Sequence, residues 1–264
     1  MLLILSICCS AWGEDCSRIV SLSPSITESI YALKLGANLI GVTRYCQYPF
    51  QATLLPKVGG FLDTNLEALI ALRPSLVVGV SEERETLSRL TTLGIRTLTV
   101  EHRNVQGILD SLELIGKACG VDSSTLRNDL QARTNLLQQK TLTKKTHTSV
   151  LVLVGSSEEG LYISGIDGFF ADVLKMAGAE NIYQRNTIAA PSLSGEGLIA
   201  LNPEVIIFLP AKAGEQTPVA TFKQRFPTLR AVLGNRVYML EQDYATIPGP
   251  RFPLLLEKLI ELLK

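Results

Sequence analysis

The 264-residue sequence predicts an α/β protein of two similar lobes with parallel central sheets, joined by a long rigid helix, with a ligand cleft between the lobes. Three observations predict it. The segment Glu67-Ala68-Leu69-Ile70-Ala71-Leu72-Arg73-Pro74-Ser75-Leu76-Val77-Val78 returns as Glu196-Gly197-Leu198-Ile199-Ala200-Leu201-Asn202-Pro203-Glu204-Val205-Ile206-Ile207. Each copy reads as a short helix, a proline stop and a buried strand, which implies duplication. Strand-length apolar runs alternate with helical spacing through both halves, the pattern of a parallel sheet covered on both faces. Between the halves, residues 123–143 contain no Gly or Pro and are rich in Leu and Gln, as an uninterrupted helix requires. A helix of about 20 residues spans about 30 Å, so the lobes are expected to be strutted and to move little.

In the first half, Arg18-Ile19-Val20-Ser21-Leu22 reads as a strand. Ser25-Ile26-Thr27-Glu28 reads as a capping box opening a helix that ends by Gly36. Leu39-Ile40-Gly41-Val42, Leu76-Val77-Val78-Gly79-Val80 and Thr97-Leu98-Thr99-Val100 are further strands, and 82–93 has helical spacing that stops at Gly94. In the second half, Ser149-Val150-Leu151-Val152-Leu153-Val154 is a strand ended by Gly155, and 169–177 is a helix stopped by Gly178. Val205-Ile206-Ile207-Phe208-Leu209 and Arg236-Val237-Tyr238-Met239-Leu240 are strands, and 254–263 is a closing amphipathic helix. Leu126, Leu130, Ala132 and Leu137 are expected on the apolar stripe of the strut. The expected boundaries are a leader at 1–13 and a binding domain at 18–264. That domain divides into an N-terminal lobe (14–121), a connecting helix (122–145) and a C-terminal lobe (146–264).

Lys plus Arg and Asp plus Glu each number 25, so the formal net charge is zero. With no basic run, nucleic acid is excluded as an expected partner. Hydrophobic residues at 46% and charged residues at 19% describe a globular chain able to bury a core. The first 13 residues are Leu- and Ile-rich and too short to span a bilayer. They end in Ala11-Trp12-Gly13, small residues at the two positions that signal peptidase reads, although no Lys or Arg precedes the apolar stretch. Export to the periplasm, with cleavage after Gly13 and loss of the one tryptophan, is expected. A lipid-anchored extracytoplasmic form is the lesser alternative, because neither Cys8 nor Cys9 follows small residues. Of five cysteines, two lie in the leader, leaving 5 − 2 = 3: Cys16, Cys46 and Cys119. An odd count leaves at least one free thiol, and the pairing stays open.

Ligands in parallel α/β lobes sit beyond the carboxyl ends of the strands. The segments collected there are Ser23-Pro24-Ser25, Thr43-Arg44-Tyr45, Gly59-Gly60-Phe61 and Gly79-Val80-Ser81 in the first half. In the second they are Gly155-Ser156-Ser157, Pro210-Ala211 and Gln242-Asp243-Tyr244. Tyr45, Phe61 and Tyr244 offer flat apolar surface suited to a large planar ligand, and Arg44 and Asp243 offer hydrogen bonds. The competing reading is that these aromatics fill an interlobe core. No phosphate loop, nucleophile elbow or HExxH sequence is present. Two separate histidines, His102 and His147, do not make a zinc or manganese site. His102 with Glu101 follows a strand and is expected near the cleft, and His147 in solvent.

Three segments carry a resemblance: residues 18–28 (Arg18-Ile19-Val20-Ser21-Leu22-Ser23-Pro24-Ser25-Ile26-Thr27-Glu28), Gly41-Val42-Thr43-Arg44-Tyr45-Cys46-Gln47-Tyr48-Pro49, and Pro56-Lys57-Val58-Gly59-Gly60-Phe61. They are joined by Asn65-Leu66-Glu67, Gly178-Ala179-Glu180-Asn181-Ile182 and Pro248-Gly249-Pro250-Arg251. Together these resemble the cobalamin and iron-siderophore substrate-binding proteins of ABC importers, most of all the cobalamin-binding members. The resemblance implies ligand contacts from Tyr45, Phe61 and the loop Asp243, Tyr244, Ala245, Thr246 and Ile247. It implies that Glu67 and Glu196 meet arginines of a permease dimer that works with ATPase subunits. It implies a monomer that carries a corrinoid or related metal chelate as cargo, with no cofactor, no metal and no catalysis. The chain departs from the pattern at Ala190, where a cleft tryptophan is usual, and in a last loop thinned to Tyr244. A ferric-siderophore or haem-like chelate is therefore the alternative cargo, and a tetrapyrrole metal chelatase on the same scaffold the alternative class. Glu67 also has a local reading, as the acid of a capping box begun by Thr64. Glu196, near a helix start, also suits the helix dipole.

Overall fold

The computed structural model describes residues 15–141, 148–157, 160–184, 191–209 and 219–264. The expected leader, and the positions His147, Ala190, Pro210 and Ala211, lie outside the described residues. Two compact units are found: one takes residues through Val100 together with 112–123, the other takes 101–111 and 124–264. Among the described residues no helix is long and apolar enough to cross a membrane.

The first unit runs β1 (Ile19–Ser21), α1 (Pro24–Ala32), β2 (Leu39–Val42), α2 (Phe50–Thr53), α3 (Leu66–Ala71), β3 (Leu76–Val80), α4 (Arg84–Thr92) and β4 (Thr97–Val100). Its strands pair in parallel in the order β2-β1-β3-β4. All five residues of β3 are buried, as an unbroken apolar run requires of a strand covered on both faces. Val20, Leu22 and Val77 from the sheet pack with Leu69 of α3 and Leu87 and Leu90 of α4. The capping box expected at Ser25 does not form. Ser23 is the N-cap and Pro24 opens the helix, where a missing N–H costs nothing, so Glu28 lies within α1.

α5 (Val105–Ala118) is a helix that the sequence reading passed over, and its residues are divided between the two units. Buried Ile108, Leu109, Leu112 and Ile115 recur at helical spacing along it. Its start lies in the second unit, where the Asn104 side chain accepts from Gly107 N at 2.7 Å and the Asp172 carboxylate accepts from Val105 N at 2.8 Å. Beyond its other end Cys119 is disulfide-bonded to Cys16, with Cα atoms 5.4 Å apart, which resolves the open pairing. Cys46 is free and buried.

The second unit continues with α6 (Ser124–Gln139), β5 (Thr148–Ser157), β6 (Gly160–Ile163), α7 (Phe169–Met176), β7 (Ala179–Asn181), β8 (Ser192–Leu193) and α8 (Gly195–Leu201). It closes with β9 (Val205–Phe208), α9 (Val219–Arg225), α10 (Arg230–Leu233), β10 (Val237–Met239) and α11 (Phe252–Leu262). β10, β9, β5 and β7 pair in parallel, while β6 and β8 add an antiparallel edge. Gly155 does not end β5, because Gly155 and Ser157 pair with Tyr162 and Gly160 of β6. α6, expected as the strut, packs on α11 within this unit, and Arg133 pairs with Glu257 at 3.0 Å. Its inner stripe runs through Leu130, Thr134 and Leu137, and Ala132 is exposed; the Thr134 hydroxyl is satisfied by the Leu130 carbonyl at 2.7 Å.

Candidate functional site

The first unit presents a folded loop surface beyond β2. Val58 N donates to the Val42 carbonyl at 3.0 Å and Arg44 N to the Gly59 carbonyl at 2.9 Å, which binds the chain after β2 to the segment leading into α3. Gly59 and Thr64 form an antiparallel bridge, and Phe61 lies on the turn that they close. Gly59 has φ 115°, and a Cβ there would lie 2.5 Å from the Asp63 carbonyl, so the turn requires glycine. Arg44 forms an ion pair with Asp63 across this turn, and its guanidinium lies 5.7 Å from the centroid of the Tyr45 ring.

Tyr45 is 55% exposed and Phe61 43%. Tyr48, Phe50, Leu54 and Leu62 are exposed as well, so six large apolar side chains face outward from one short stretch of this unit. Such a concentration marks a contact surface rather than an ordinary scatter of apolar residues. Sequence reasoning found Tyr45 and Phe61 and missed the other four. The missed signal is an apolar-rich connection outside the strands, in which Cys46, Ala52 and Val58 turn inward and the larger side chains are left outside.

The second unit carries the other expected ligand residues after β10, four on one 3₁₀ turn, Asp243–Thr246, and Ile247 as its C-cap. Asp243 is exposed, accepts from Tyr244 N at 2.9 Å through Oδ1, and pairs with Arg251 at 2.8 Å through Oδ2. The Arg251 guanidinium lies 5.9 Å from the Tyr244 ring centroid. Tyr244 is half-buried against the core of the unit, Ala245 is fully buried in it, Thr246 is exposed and Ile247 half-buried. Arg251, which sequence reasoning noted only inside a motif, thus holds both Asp243 and Tyr244.

Glu67 and Glu196 stand in the first turn of α3 and α8, and both are exposed. The N-caps also repeat: Asn65 Oδ1 accepts from Ala68 N at 3.0 Å, and Ser194 Oγ accepts from Gly197 N at 3.1 Å. Thr64 is therefore not the cap, and the box expected between Thr64 and Glu67 does not form, because the helix starts one residue later: Asn65 is the N-cap and takes the Ala68 N–H, which leaves Glu67 at the second helical position rather than the third. Hydrogen bonds from the Glu196 backbone N–H and from Ser194 hold the Glu196 carboxyl below the usual range. Three residues on, at the matching place in each copy, Ile70 and Ile199 are exposed, so each helix shows a carboxylate and an apolar side chain on one face.

His102 is buried, and that burial lowers its pKa to about 4, so its ring is neutral at ordinary pH. Its neighbour Glu101 is exposed and pairs with Arg103 at 3.6 Å. Among the described residues no three His, Cys, Asp or Glu side chains gather to hold a metal ion. A groove of about 770 Å³ in the second unit is lined by Arg103, Asn104, Asp167, Asp172, Lys175 and Gln184 among others. None of the expected ligand residues lines it, and its Asp172 carboxylate is engaged by the start of α5.

The chain as a whole has relatives among known proteins. Residues 19–244 match the Periplasmic binding protein family. The chain is 31% identical over 257 residues to the uncharacterized ABC transporter substrate-binding lipoprotein YvrC of Bacillus subtilis, covering 94% of this chain and 80% of that protein. It is 30% identical over 251 residues to the vitamin B12-binding protein of Photorhabdus laumondii, covering 92% and 86%. Among solved structures it resembles the periplasmic vitamin B12-binding protein BtuF of Vibrio cholerae (TM-score 0.78, 24% identity, 94% and 96% coverage). It also resembles the periplasmic heme-binding protein RhuT of Roseiflexus (TM-score 0.83, 22% identity, 94% and 99% coverage). At those identities the structural likeness speaks for the fold alone, a two-lobed α/β fold that this chain shares. With the family match spanning most of its length, the chain belongs to the periplasmic binding protein family, the substrate-binding components of ABC transporters.

Proposed function

We propose that this protein captures a corrinoid outside the cytoplasm and delivers it to an ABC permease dimer and its ATPase subunits, as a monomer and without covalent chemistry. One observation carries the reading: the exposed apolar surface built around Tyr45 and Phe61, in a chain whose relatives include vitamin B12-binding proteins. A corrin ring is wide, flat and apolar on its faces, and aromatic side chains cover such a face at low conformational cost. Tyr244, with the exposed Asp243 and the loop through Ala245, Thr246 and Ile247, supplies the contacts from the second unit. Glu67 and Glu196 are the docking carboxylates in this reading, each with its neighbouring isoleucine as apolar support. Exposed ion pairs contribute only about 0–1 kcal/mol each, so they serve orientation and encounter rate more than affinity.

The second reading, a ferric-siderophore or haem-like chelate, is favoured by the single aromatic, Tyr244, in the last loop. Calorimetric titration with cyanocobalamin tests the first. Saturable one-to-one heat at micromolar protein is expected, and its absence alongside binding of a ferric chelate would transfer the function to the second reading. Turnover of a tetrapyrrole with a metal ion would instead make the protein an enzyme.

A further inference from the structure

We propose that the two arginine–aspartate pairs, Arg44–Asp63 and Arg251–Asp243, are the specificity-determining elements of the ligand surface. In this proposal they hold the contact tyrosines in place and cancel the arginine charge, so that the protein selects an uncharged, amide-rich macrocycle over a polyanionic chelate. The inference rests on the ligand surface proposed above and goes further, to the charge class of the ligand.

The two pairs share one arrangement. In each unit an arginine lies near a tyrosine ring, at 5.7 Å from the Tyr45 centroid and 5.9 Å from the Tyr244 centroid. In each, an aspartate engages the same guanidinium: Asp63 on Arg44, and Asp243 on Arg251 at 2.8 Å. Guanidinium over an aromatic face is attractive, and a carboxylate on the fork fixes its plane. The backbone is shaped to allow it. A Cβ on Gly60 would come within 3.0 Å of Arg44 Cζ and 2.3 Å of Asp63 Oδ1, so this position has to stay bare for the first pair to close. In the second pair, Asp243 is held from the other side by Tyr244 N.

The charge consequence follows. An arginine intended for a ligand carboxylate or catecholate is normally left without a protein counter-ion, since the ligand supplies it. Here both arginines already have one. Lys57, the other cation in the stretch 43–64, gives its ammonium to the Ala52 carbonyl at 2.8 Å. Counting side chains, residues 43–64 carry Arg44, Lys57 and Asp63, and residues 240–251 carry Glu241, Asp243 and Arg251. Taken separately, the first stretch carries one net positive charge and the second one net negative charge, so neither offers a surplus of more than one cation. A ligand bearing several negative charges would be desolvated at either surface without full compensation, whereas a corrinoid, rimmed with neutral amides, can donate to the aspartates and lie against the rings.

The experiment compares cyanocobalamin, which is uncharged, with haem, which carries two propionates, by calorimetry at low and at physiological salt. Wild type should bind cyanocobalamin at least tenfold more tightly than haem. The double variant Asp63→Asn with Asp243→Asn frees two positive charges at exposed positions; thermal unfolding should show it folded. Its preference should move toward haem by tenfold or more, the haem gain should shrink as salt rises, and Asp63→Glu with Asp243→Glu should restore the original ratio. An unchanged preference ratio in the Asn variant, or tighter haem binding by wild type, would overturn the inference while leaving the transport reading intact. Binding of neither compound by wild type would remove the ligand reading itself, and this inference with it.

Discussion

Arg73 and Asn202 share a left-handed backbone, φ 49° and 46°, each directly before the proline that ends the repeated helix. The duplication is therefore conformational as well as textual. The two side chains differ in what they do. Arg73 is exposed, whereas Asn202 Oδ1 accepts from Arg230 N at 2.9 Å and so ties α8 to α10. Arg73→Gly should be neutral or stabilising by up to about 1 kcal/mol, since glycine relieves the left-handed strain at some entropic cost in the unfolded chain. Asn202→Gly should destabilise by about 1 kcal/mol through the lost hydrogen bond. Urea unfolding midpoints measure both, and equal signs would show that the side-chain bond of Asn202 carries no stability.

Docking and capping can be separated, because neighbouring residues carry them. Asn65→Ala and Ser194→Ala should each cost about 1 kcal/mol of stability with ligand affinity unchanged. Reversing Glu67 and Glu196 to Lys should leave ligand affinity unchanged and abolish stimulation of the transporter ATPase. Ile70→Ser with Ile199→Ser should weaken that stimulation more mildly. Undiminished stimulation by the double Lys variant would end the docking role.

The disulfide between Cys16 and Cys119 closes a loop of sequence separation 103. Loop-closure entropy for a ring of that size corresponds to about 4–5 kcal/mol. Reduction, or the pair Cys16→Ser with Cys119→Ser, should lower the unfolding temperature by more than ten degrees. Cys46→Ala should not, since that thiol is free, and burial pushes its pKa up and keeps it inert.

Two buried titratable groups oppose each other in pH. Glu83 is buried at the end of β3, with Oε2 accepting from Val80 N at 3.1 Å, and burial pushes its carboxyl up from 4.5 to about 7. The native state keeps that proton after the unfolded chain has lost it. Its contribution is thus full below pH 4.5 and falls away as pH rises to 7. His102 behaves oppositely. Its pKa falls from 6.5 to about 4, so its contribution is full above 6.5 and is lost as pH falls toward 4. Glu83→Gln should raise the unfolding temperature at pH 8, by the equivalent of 1–3 kcal/mol in order of magnitude. It should also steepen the loss of stability between pH 6.5 and 4.5. A variant whose profile parallels wild type across that range would show that Glu83 titrates elsewhere.

Much of this was legible without coordinates. The strands Leu39–Val42 and Leu76–Val80 emerge with the bounds their apolar runs imply, and Gly94 and Gly178 stop helices as expected, at φ 78° and 72°. α5 keeps helical spacing at its buried residues, but Gly107 and Gly116 lie inside it, and glycines within a helical pattern read as breaks. β6 and β8 are too short to announce themselves: β6 forms because Gly155 and Ser157 find partners in a hairpin, and β8 because β6 then offers it an edge. For the proposed ligand surface, residue types singled out Tyr45, Phe61 and Tyr244 as candidates. They did not reveal that Arg44 and Arg251 are each matched to an aspartate, nor that four further apolar side chains stand beside the first two.

The sequence by itself determined the duplication, the α/β class, the parallel cores and the acidic helix starts, because these depend on short-range periodicity and on residues a few positions apart. Tertiary structure alone decided which cysteines join, which helix is shared between the units, and which charges are already neutralised. Those outcomes depend on distances between residues far apart in the chain, such as Cys16 and Cys119 or Arg44 and Asp63. Such distances are set only when the sheets and helices pack.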